Sequence, residues 1–156
     1  MKRLEFKQEF DTSIVSTFKM LQKEGLLKSN IDADKQFAYG KSFCQDATKL
    51  DDYGVWFLPH SNLTDEVWND AWKYEVSVEN DVFKSVVETF DSSKKRSEVE
   101  LERAKNNNNN SPTRLIFAKD KSNKYIFLGV FAVEKPTRSY SYTKWNWRLV
   151  NSNYNY

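Results

Sequence analysis

The chain has 156 residues, of which 39% are hydrophobic and 15% aromatic, so it can fill one sizeable core and we expect a single domain over residues 1–156. The net charge is only +2, so overall charge does not indicate a nucleic-acid partner. Gly and Pro are scarce, no apolar run approaches the roughly 18 residues of a membrane span, and no apolar segment follows the first residues as in a signal peptide. With a single cysteine, this composition predicts a cytoplasmic protein with no membrane partner.

The first segment, residues 1–36, is predicted to be helical. A stripe of apolar residues at helical spacing predicts a helix from Glu9 to Leu27, and its members are Ile14, Val15, Phe18, Leu21 and Leu26. The residues able to cap its start are Asp11, Thr12 and Ser13, since each offers a side-chain oxygen to an unpaired N–H. Gly25 is expected to end the helix.

Residues 37–150 are predicted to form a β-rich core. Patterns of β-branched and aromatic residues indicate strands at Phe37–Asp46, Gly54–Leu58, Tyr74–Ser77 and Val82–Phe90. Thr64 is a plausible helix cap, and Trp68 and Trp72 would share one face of the helix that it starts. Residues 92–105 fit a charged surface helix or an irregular arm, and residues 106–112 an Asn-rich mobile loop.

The side chain of Glu88 has two alternative placements. At a period of two it shares a face with Val86 and Phe90, which would direct a carboxylate into an apolar interior, where it needs a partner or a ligand. If Phe83 and Val87 point inward instead, Glu88 faces water. The sequence leaves both open.

The last third of the chain combines strands with positive charge. Strand patterns cover Arg114–Lys119, Lys124–Val133 and Tyr140–Val150, and this stretch has eight Lys and Arg against two acids. Trp145 and Trp147 share one strand face, so at least one of them should lie in the core. An aromatic, basic sheet is a plausible surface for nucleic acid.

Residues 51–91 have the opposite charge. Ten acids and two lysines give this block a net charge of −8, which would repel a duplex that it faced. The block is either a solvated acidic face or a surface that mimics nucleic acid for a protein partner.

Catalytic and metal-binding patterns are missing from the sequence. His60 and Cys44 alone cannot provide a zinc site. As a nucleophile–base pair they are separated by fifteen residues of uninformative sequence. The sequence contains no glycine-rich phosphate loop. We therefore expect no catalytic residues, no metal and no cofactor.

The C-terminal strands resemble those of a known family. The segments Arg114–Lys119 and Tyr125–Phe131, followed by Trp147-Arg148, are similar to the last strands of the SRA-like domains of modification-dependent restriction endonucleases, which belong to the PUA-like superfamily. Upstream, Trp72-Lys-Tyr74 and Val86-Val87-Glu88 fit the family pattern loosely. The match covers roughly residues 54–150.

The resemblance implies a fold and an activity. The fold would be α+β: a curved mixed β-sheet or partly open barrel, with an N-terminal helix and flanking helices. The activity would be recognition of a modified cytosine that is flipped out of the duplex into an aromatic pocket, without cleavage. The implied base-binding residues are Trp72, Tyr74, Glu88, Asp91 and Tyr125. In this set Trp72 and Tyr125 would stack on the base and the carboxylates would accept from its amine. Tyr74 stands where the family pattern has a polar amide.

Two classes of partner therefore remain. The first is nucleic acid, which the resemblance implies is modified DNA. Its phosphates would be contacted by Arg114, Lys119, Lys124, Lys144 and Arg148. The second is a protein of a defence system, which a small phage- or plasmid-type inhibitor would bind through its acidic face, residues 51–91.

Overall fold

The computed structural model is an α+β protein in which short helices accompany a mixed β-sheet. It describes residues 2–58, 67–69, 72–79, 82–91, 113–119, 122–134, 137–138 and 142–156. Only the backbone is described in residues 67–69, 72–79, 82–86, 88–91, 137–138 and 142–143. The predictions for residues 92–112, including the Asn-rich loop, lie outside the described residues, as does His60.

The N-terminal helix α1 (Ile14–Lys23) is confirmed, with Ser13 as its cap. The Ser13 hydroxyl accepts a hydrogen bond from the Ser16 N–H at 3.0 Å. Gly25 follows the helix with φ +86°, a conformation that glycine adopts without strain. One further turn, α2 (Ala33–Gln36), comes next, capped by Asp32.

The strands follow in chain order. They are β1 (Arg3–Leu4), β2 (Phe43–Cys44), β3 (Gly54–Leu58), β4 (Val67–Asn69), β5 (Trp72–Glu79), β6 (Val82–Asp91), β7 (Thr113–Lys119), β8 (Tyr125–Val133), β9 (Thr137–Arg138), β10 (Tyr142–Asn151) and β11 (Tyr154–Asn155). Among the described residues, β1 and β11 form a small sheet of their own, and the other nine strands form the main sheet.

The main sheet has the order β2-β3-β7-β8-β10-β6-β5-β4, with β9 added beside β10. The β3–β7 pair is parallel and the other pairs are antiparallel, so the predicted mixed sheet is confirmed. Within the described part of the chain the sheet does not close into a barrel, because β2 and β4 lie at its two ends.

The predicted helix from Glu9 is longer than α1, because the residues before the helix pair with the sheet. The Lys7 and Phe10 N–H groups donate to the carbonyls of Phe127 and Tyr125, each at 2.8 Å. Those two β8 residues donate in return to Gln8 and Asp11. Residues 7–11 thus complete the hydrogen bonding of the first half of β8, and β10 completes that of the second half.

Two apolar clusters lie on the opposite faces of the central strands. The helix-side core packs α1 residues such as Phe18 and Leu21 against Phe57, Phe117 and Phe127. The second core is rich in tryptophan and branched residues, and includes Trp56, Ile116, Phe131, Trp145 and Trp147. Strand β3 is buried throughout and β7 and β8 nearly so, which explains their continuous apolar sequences.

A β-bulge at Gly129 changes the alternation of β8. Ile116 of β7 is opposite Gly129, whereas the next residue, Phe117, is opposite Phe127. Tyr125 and Phe127 therefore belong to the helix-side core, and Phe131 and Val133 to the second core. The extra residue requires an unusual backbone, and Gly129 adopts φ +136°.

Two predictions of secondary structure are wrong. The proposed strand at 37–46 is reduced to Phe43–Cys44, because a 3₁₀ turn occupies Ala38–Gly40. The proposed helix through Trp68 and Trp72 is also absent: Trp68 lies in β4 and pairs with Lys73 of β5. Cross-strand pairing of β-branched and aromatic residues outweighs the local capping pattern there.

Candidate functional site

Strands β5, β6 and β10 bring three of the aromatic and acidic residues into one row. Tyr74 lies directly opposite Glu88, and Glu88 lies directly opposite Trp145. Directly opposed residues of antiparallel strands are close neighbours on one face. We call the positions Tyr74, Glu88 and Trp145 the β5–β6–β10 row. Trp72 is two positions from Tyr74, opposite Phe90, and so takes the same face as the row.

Trp145 is the member of this row whose side chain is described. It is 3% exposed and belongs to the second core, together with Trp147, which confirms the expectation that at least one of these tryptophans is buried. Within the described residues its indole Nε1–H has no hydrogen-bond acceptor. A buried donor without an acceptor costs about 1–3 kcal/mol, so the row contains an unsatisfied N–H group.

The register also bears on the two alternatives for Glu88. The positions two residues before and after Glu88 on β6 are Val86 and Phe90. They lie opposite Trp147 and Thr143 of β10, and Trp147 is fully buried. Val87, by contrast, is half-buried and pairs with the half-buried Asn146. The position of Glu88 is therefore on the face of the second core, which favours the first alternative.

Asp91 lies outside the β5–β6–β10 row. Asp91 is opposite Tyr142, three residues from Trp145 along β10. Because positions an odd number apart alternate between the faces of a strand, Asp91 takes the face opposite to the row. The register therefore does not bring Asp91 into the β5–β6–β10 row, and its contact with a base stays a prediction.

Tyr125 lies in the helix-side core and not with the other predicted base-binding residues. Its ring is 2% exposed in the helix-side core and contacts the Phe57 ring edge-on at a centroid distance of 5.5 Å. Burial raises the pKa of Tyr125 to about 12. Strand alternation places Tyr125 on the opposite face from Trp145, so it cannot stack on a base bound at the row.

Arg114 is enclosed by aromatic rings and does not lie at a solvated strand end. Its guanidinium carbon is 4.0 Å from the ring centres of both Phe43 and Trp147, and 5.1 Å from that of Trp56. The residue is 7% exposed, so the predicted phosphate contact is wrong for this position. Cation–π contacts of this kind stabilise a desolvated cation by about 2 kcal/mol.

The four remaining cations of the predicted phosphate-binding set form two groups. Lys119 and Lys124 lie at the ends of β7 and β8 that face the connecting turn, and the Lys124 ammonium is 3.9 Å from the Glu9 carboxylate. Lys144 and Arg148 lie on β10, where the Arg148 Nε donates to Glu134 at 3.1 Å. Because Arg148 is opposite Ala132, the groups are separated by roughly 25 Å along β8.

Cys44 lacks the properties of a nucleophile. Its side chain is buried, and its Sγ lies 3.7 Å from the Gln45 carbonyl. Burial, reinforced by the nearby Asp46, raises the pKa of the thiol to about 11. The described part of the chain holds no cluster of three His, Cys, Asp or Glu side chains suited to a metal ion.

A groove of about 690 Å³ lies elsewhere, between the N-terminal residues, α1 and Tyr156. Its lining includes Lys2, Glu24 and Met20, and Lys2 and Glu24 form an ion pair across 3.0 Å. None of the predicted site residues lines this groove. We therefore place the candidate site at the β5–β6–β10 row.

Comparisons with protein-family models, with curated proteins and with solved structures find no match to this chain. Among the described residues, no helix has the length and apolar character needed to cross a bilayer.

Sequence reasoning misses two features of the site. It expects at least one of Trp145 and Trp147 in the core and gives the Trp145 N–H group no role, and it assigns Arg114 to phosphate contact. The alternating pattern of Trp145 and Trp147 places both rings on one face but gives no information about hydrogen-bond acceptors. The cage around Arg114 brings together β2, β3, β7 and β10, so no local motif could have revealed it.

Proposed function

We propose that this chain is a binding module that recognises a nucleobase at the β5–β6–β10 row and does not cleave nucleic acid. One observation supports this proposal above the others: the unsatisfied indole N–H of Trp145 lies in register with the position of Glu88. The row thus places a carboxylate, which is an acceptor, beside a donor that has no acceptor among the described residues. Because Trp145 is 3% exposed, the proposal requires the side chains that cover its N–H group to move aside when a base binds.

This pair of groups complements the Watson–Crick edge of cytosine. A carboxylate accepts from the exocyclic amine of cytosine, and an indole N–H can donate to the neighbouring ring nitrogen or carbonyl oxygen. Thymine and uracil have a carbonyl where cytosine has the amine, so they would leave the carboxylate without a donor. Adenine also has an amine beside an acceptor ring nitrogen, so the choice of cytosine as the base follows from the resemblance to SRA-like domains.

The finer part of the proposal comes from the resemblance to SRA-like domains. It comprises a PUA-like fold, flipping of a modified cytosine out of duplex DNA, and stacking of the base on an aromatic side chain. Trp72 and Tyr74 are the proposed stacking residues, because Tyr125 lies in the other core. This part rests on the sequence motifs alone.

Phosphate contacts are proposed from Lys119 and Lys124 at one end of β8, and from Lys144 and Arg148 at the other. Neutralising three or four phosphates releases counterions, so the logarithm of the binding constant should fall with the logarithm of salt concentration at a slope of about −3. A module that binds an uncharged surface would lack this dependence.

The alternative, an inhibitor that binds a defence protein through residues 51–91, receives less support. In the described part of this block, Asp51 accepts a hydrogen bond from the Tyr154 hydroxyl at 2.9 Å. Asp52 lies 4.0 Å from the Lys28 ammonium. Both acids therefore have partners within the chain.

The test is equilibrium binding to short duplexes that carry cytosine, methylated cytosine or thymine at one position, at two salt concentrations. We expect a preference for one form of cytosine in the parent protein. Glu88→Gln, which replaces an acceptor by an amide, should lower that preference by about tenfold, since one well-placed base contact contributes about 1–3 kcal/mol.

Glu75→Gln provides the matched control. Glu75 lies on the neighbouring strand opposite Val87, and so takes the other face of the sheet. It should leave base preference unchanged. Absence of binding to any duplex or single strand at low salt would overturn the proposed function and favour a protein partner.

A further inference from the structure

Tyr39 is the most exposed apolar residue in the described part of the chain, with a relative exposure of 102%. Both faces of its ring are therefore in water. Its backbone is left-handed, with φ 60° and ψ 35°, and Gly40 follows with φ +76°. For a bulky residue other than glycine this conformation costs roughly 1–3 kcal/mol, and no burial of the ring offsets that cost.

The turn that carries Tyr39 is fixed at its base. Phe37 is buried in the helix-side core, with ring centres 5.1 Å from Phe18 and 5.6 Å from Phe57. The Gln36 side-chain amide donates to the Phe43 carbonyl at 3.0 Å, which ties the two ends of the turn together. The exposed ring is thus held out by an anchored turn and is not part of a loose segment.

The chain near Tyr39 carries two lysines that could contact phosphate. Asp34 is paired with Lys19 at 2.9 Å, and Asp32 accepts from the Lys35 N–H as the cap of α2. Lys35 and Lys41 are both exposed, and in the described residues neither has an ion-pair partner. Lys41 is two residues from Tyr39, so their Cα atoms are within about 7 Å of each other.

We propose that Tyr39, with Lys35 and Lys41, forms a second contact for nucleic acid, at which an unpaired base of a single strand stacks on the tyrosine ring. Stacking requires an open ring face, and the flanking phosphates require nearby cations. The turn provides the open face of Tyr39 and the two lysines. A base in a duplex is already stacked on its neighbours, so the partner is single-stranded.

This inference rests on the proposed function, but it concerns a different part of the molecule. Tyr39 lies next to β2, at one end of the sheet, and Trp145 lies four strands away on β10. At about 4.8 Å per strand, the two contacts are separated by roughly 19 Å across the sheet. Each can therefore be removed without disturbing the other.

The experiment measures binding of a fluorescently labelled single strand by the parent protein and by Tyr39→Ala. We expect the affinity to fall about tenfold, because stacking of one base on an aromatic ring contributes roughly that much. Tyr39→Trp should retain the affinity. Leu50→Ala is the matched control, since Leu50 is another exposed apolar residue, at 68%, and should have no effect.

Folding does not confound this test. The Tyr39 ring makes no buried contact, so Tyr39→Ala should melt within a degree or two of the parent, and Tyr39→Gly should melt higher because glycine relieves the left-handed backbone. Lys35→Gln with Lys41→Gln should reduce the salt slope of single-strand binding by about 1.4, or roughly 0.7 for each cation.

Two results would overturn the inference. One is single-strand affinity of Tyr39→Ala within twofold of the parent, and the other is no single-strand binding by the parent at low salt. The base preference of the duplex series, measured on the same Tyr39→Ala protein, tests the row separately. If that preference persists while the Tyr39 effect is absent, the second contact is wrong and the proposed function stands.

Discussion

At the scale of single residues, burial decides the chemistry of several groups. Tyr125, Trp145 and Trp147 all occur in β-strand patterns with similar neighbours, yet the structure divides them between two cores. Alternation in the sequence identifies which residues share a face, but not which face is covered by helices. The resemblance implies that Tyr125 is a stacking residue, and alternation could not show that it is a core residue instead.

Cys44 gives a prediction at this scale. With its pKa raised to about 11, fewer than about one in a hundred Cys44 thiols is ionised at pH 8, and the thiolate is the form that reacts. We expect the native protein to react with a disulfide reagent at pH 8 at least tenfold more slowly than the unfolded chain. Equal rates in the folded and unfolded states, followed by absorbance, would show that Cys44 is accessible.

At the scale of elements, the bulge in β8 is the feature most sensitive to substitution. A Cβ atom at Gly129 would lie 2.6 Å from the Leu149 side chain and 2.7 Å from the Asn151 carbonyl oxygen. The left-handed φ of Gly129 adds strain for any other residue. The bulge thus depends on one glycine at the crossing of β8 and β10.

We predict that Gly129→Ala lowers the free energy of unfolding by about 3 kcal/mol or more, through steric overlap and backbone strain together. Gly25→Ala is the matched control. Gly25 also has a left-handed φ, +86°, but a Cβ atom added there would meet no atom within 4 Å, so only about 1 kcal/mol of strain is expected. Similar losses in the two variants, measured by denaturant unfolding, would contradict the assigned packing at the bulge.

The elements themselves are predictable where local signals agree with burial. Strand Gly54–Leu58 is found at its predicted bounds, and the strands of the last third lie within a residue or two of theirs. The helix around Thr64 and Trp68 is wrong because its signal is a local capping pattern, whereas Trp68 pairs across strands. Capping contributes only about 1 kcal/mol, which sheet pairing readily exceeds.

At the scale of the whole molecule, composition and periodicity predict a β-rich core and an N-terminal helix, whereas the mixed sheet is predicted by the resemblance alone. The strand order is not predictable, since it joins β3 to β7 in parallel across a long stretch of chain. The candidate site also depends on pairing between strands that are distant in the sequence. Tyr74 and Glu88 become neighbours by hairpin pairing, but Trp145 joins them only because β10 pairs with β6.

The arrangement of charge also belongs to this scale. The basic residues of the last third do not form one patch, because Arg114 is enclosed by aromatic rings and the others divide between the two ends of β8. A nucleic acid that contacts both ends must extend for at least roughly 25 Å along the strand direction. We therefore expect duplexes shorter than about one helical turn to bind more weakly than longer ones.

The most direct measurement concerns the indole N–H of Trp145. With ¹⁵N-labelled tryptophan the five indole N–H groups give separate NMR signals, and Trp145→Phe assigns that of Trp145. On addition of a cytosine-containing oligonucleotide we predict that this signal moves downfield, as a donor does when it gains an acceptor, and that thymine in place of cytosine reduces the shift. A Trp145 signal that stays in place at saturating nucleic acid would contradict base recognition at the β5–β6–β10 row.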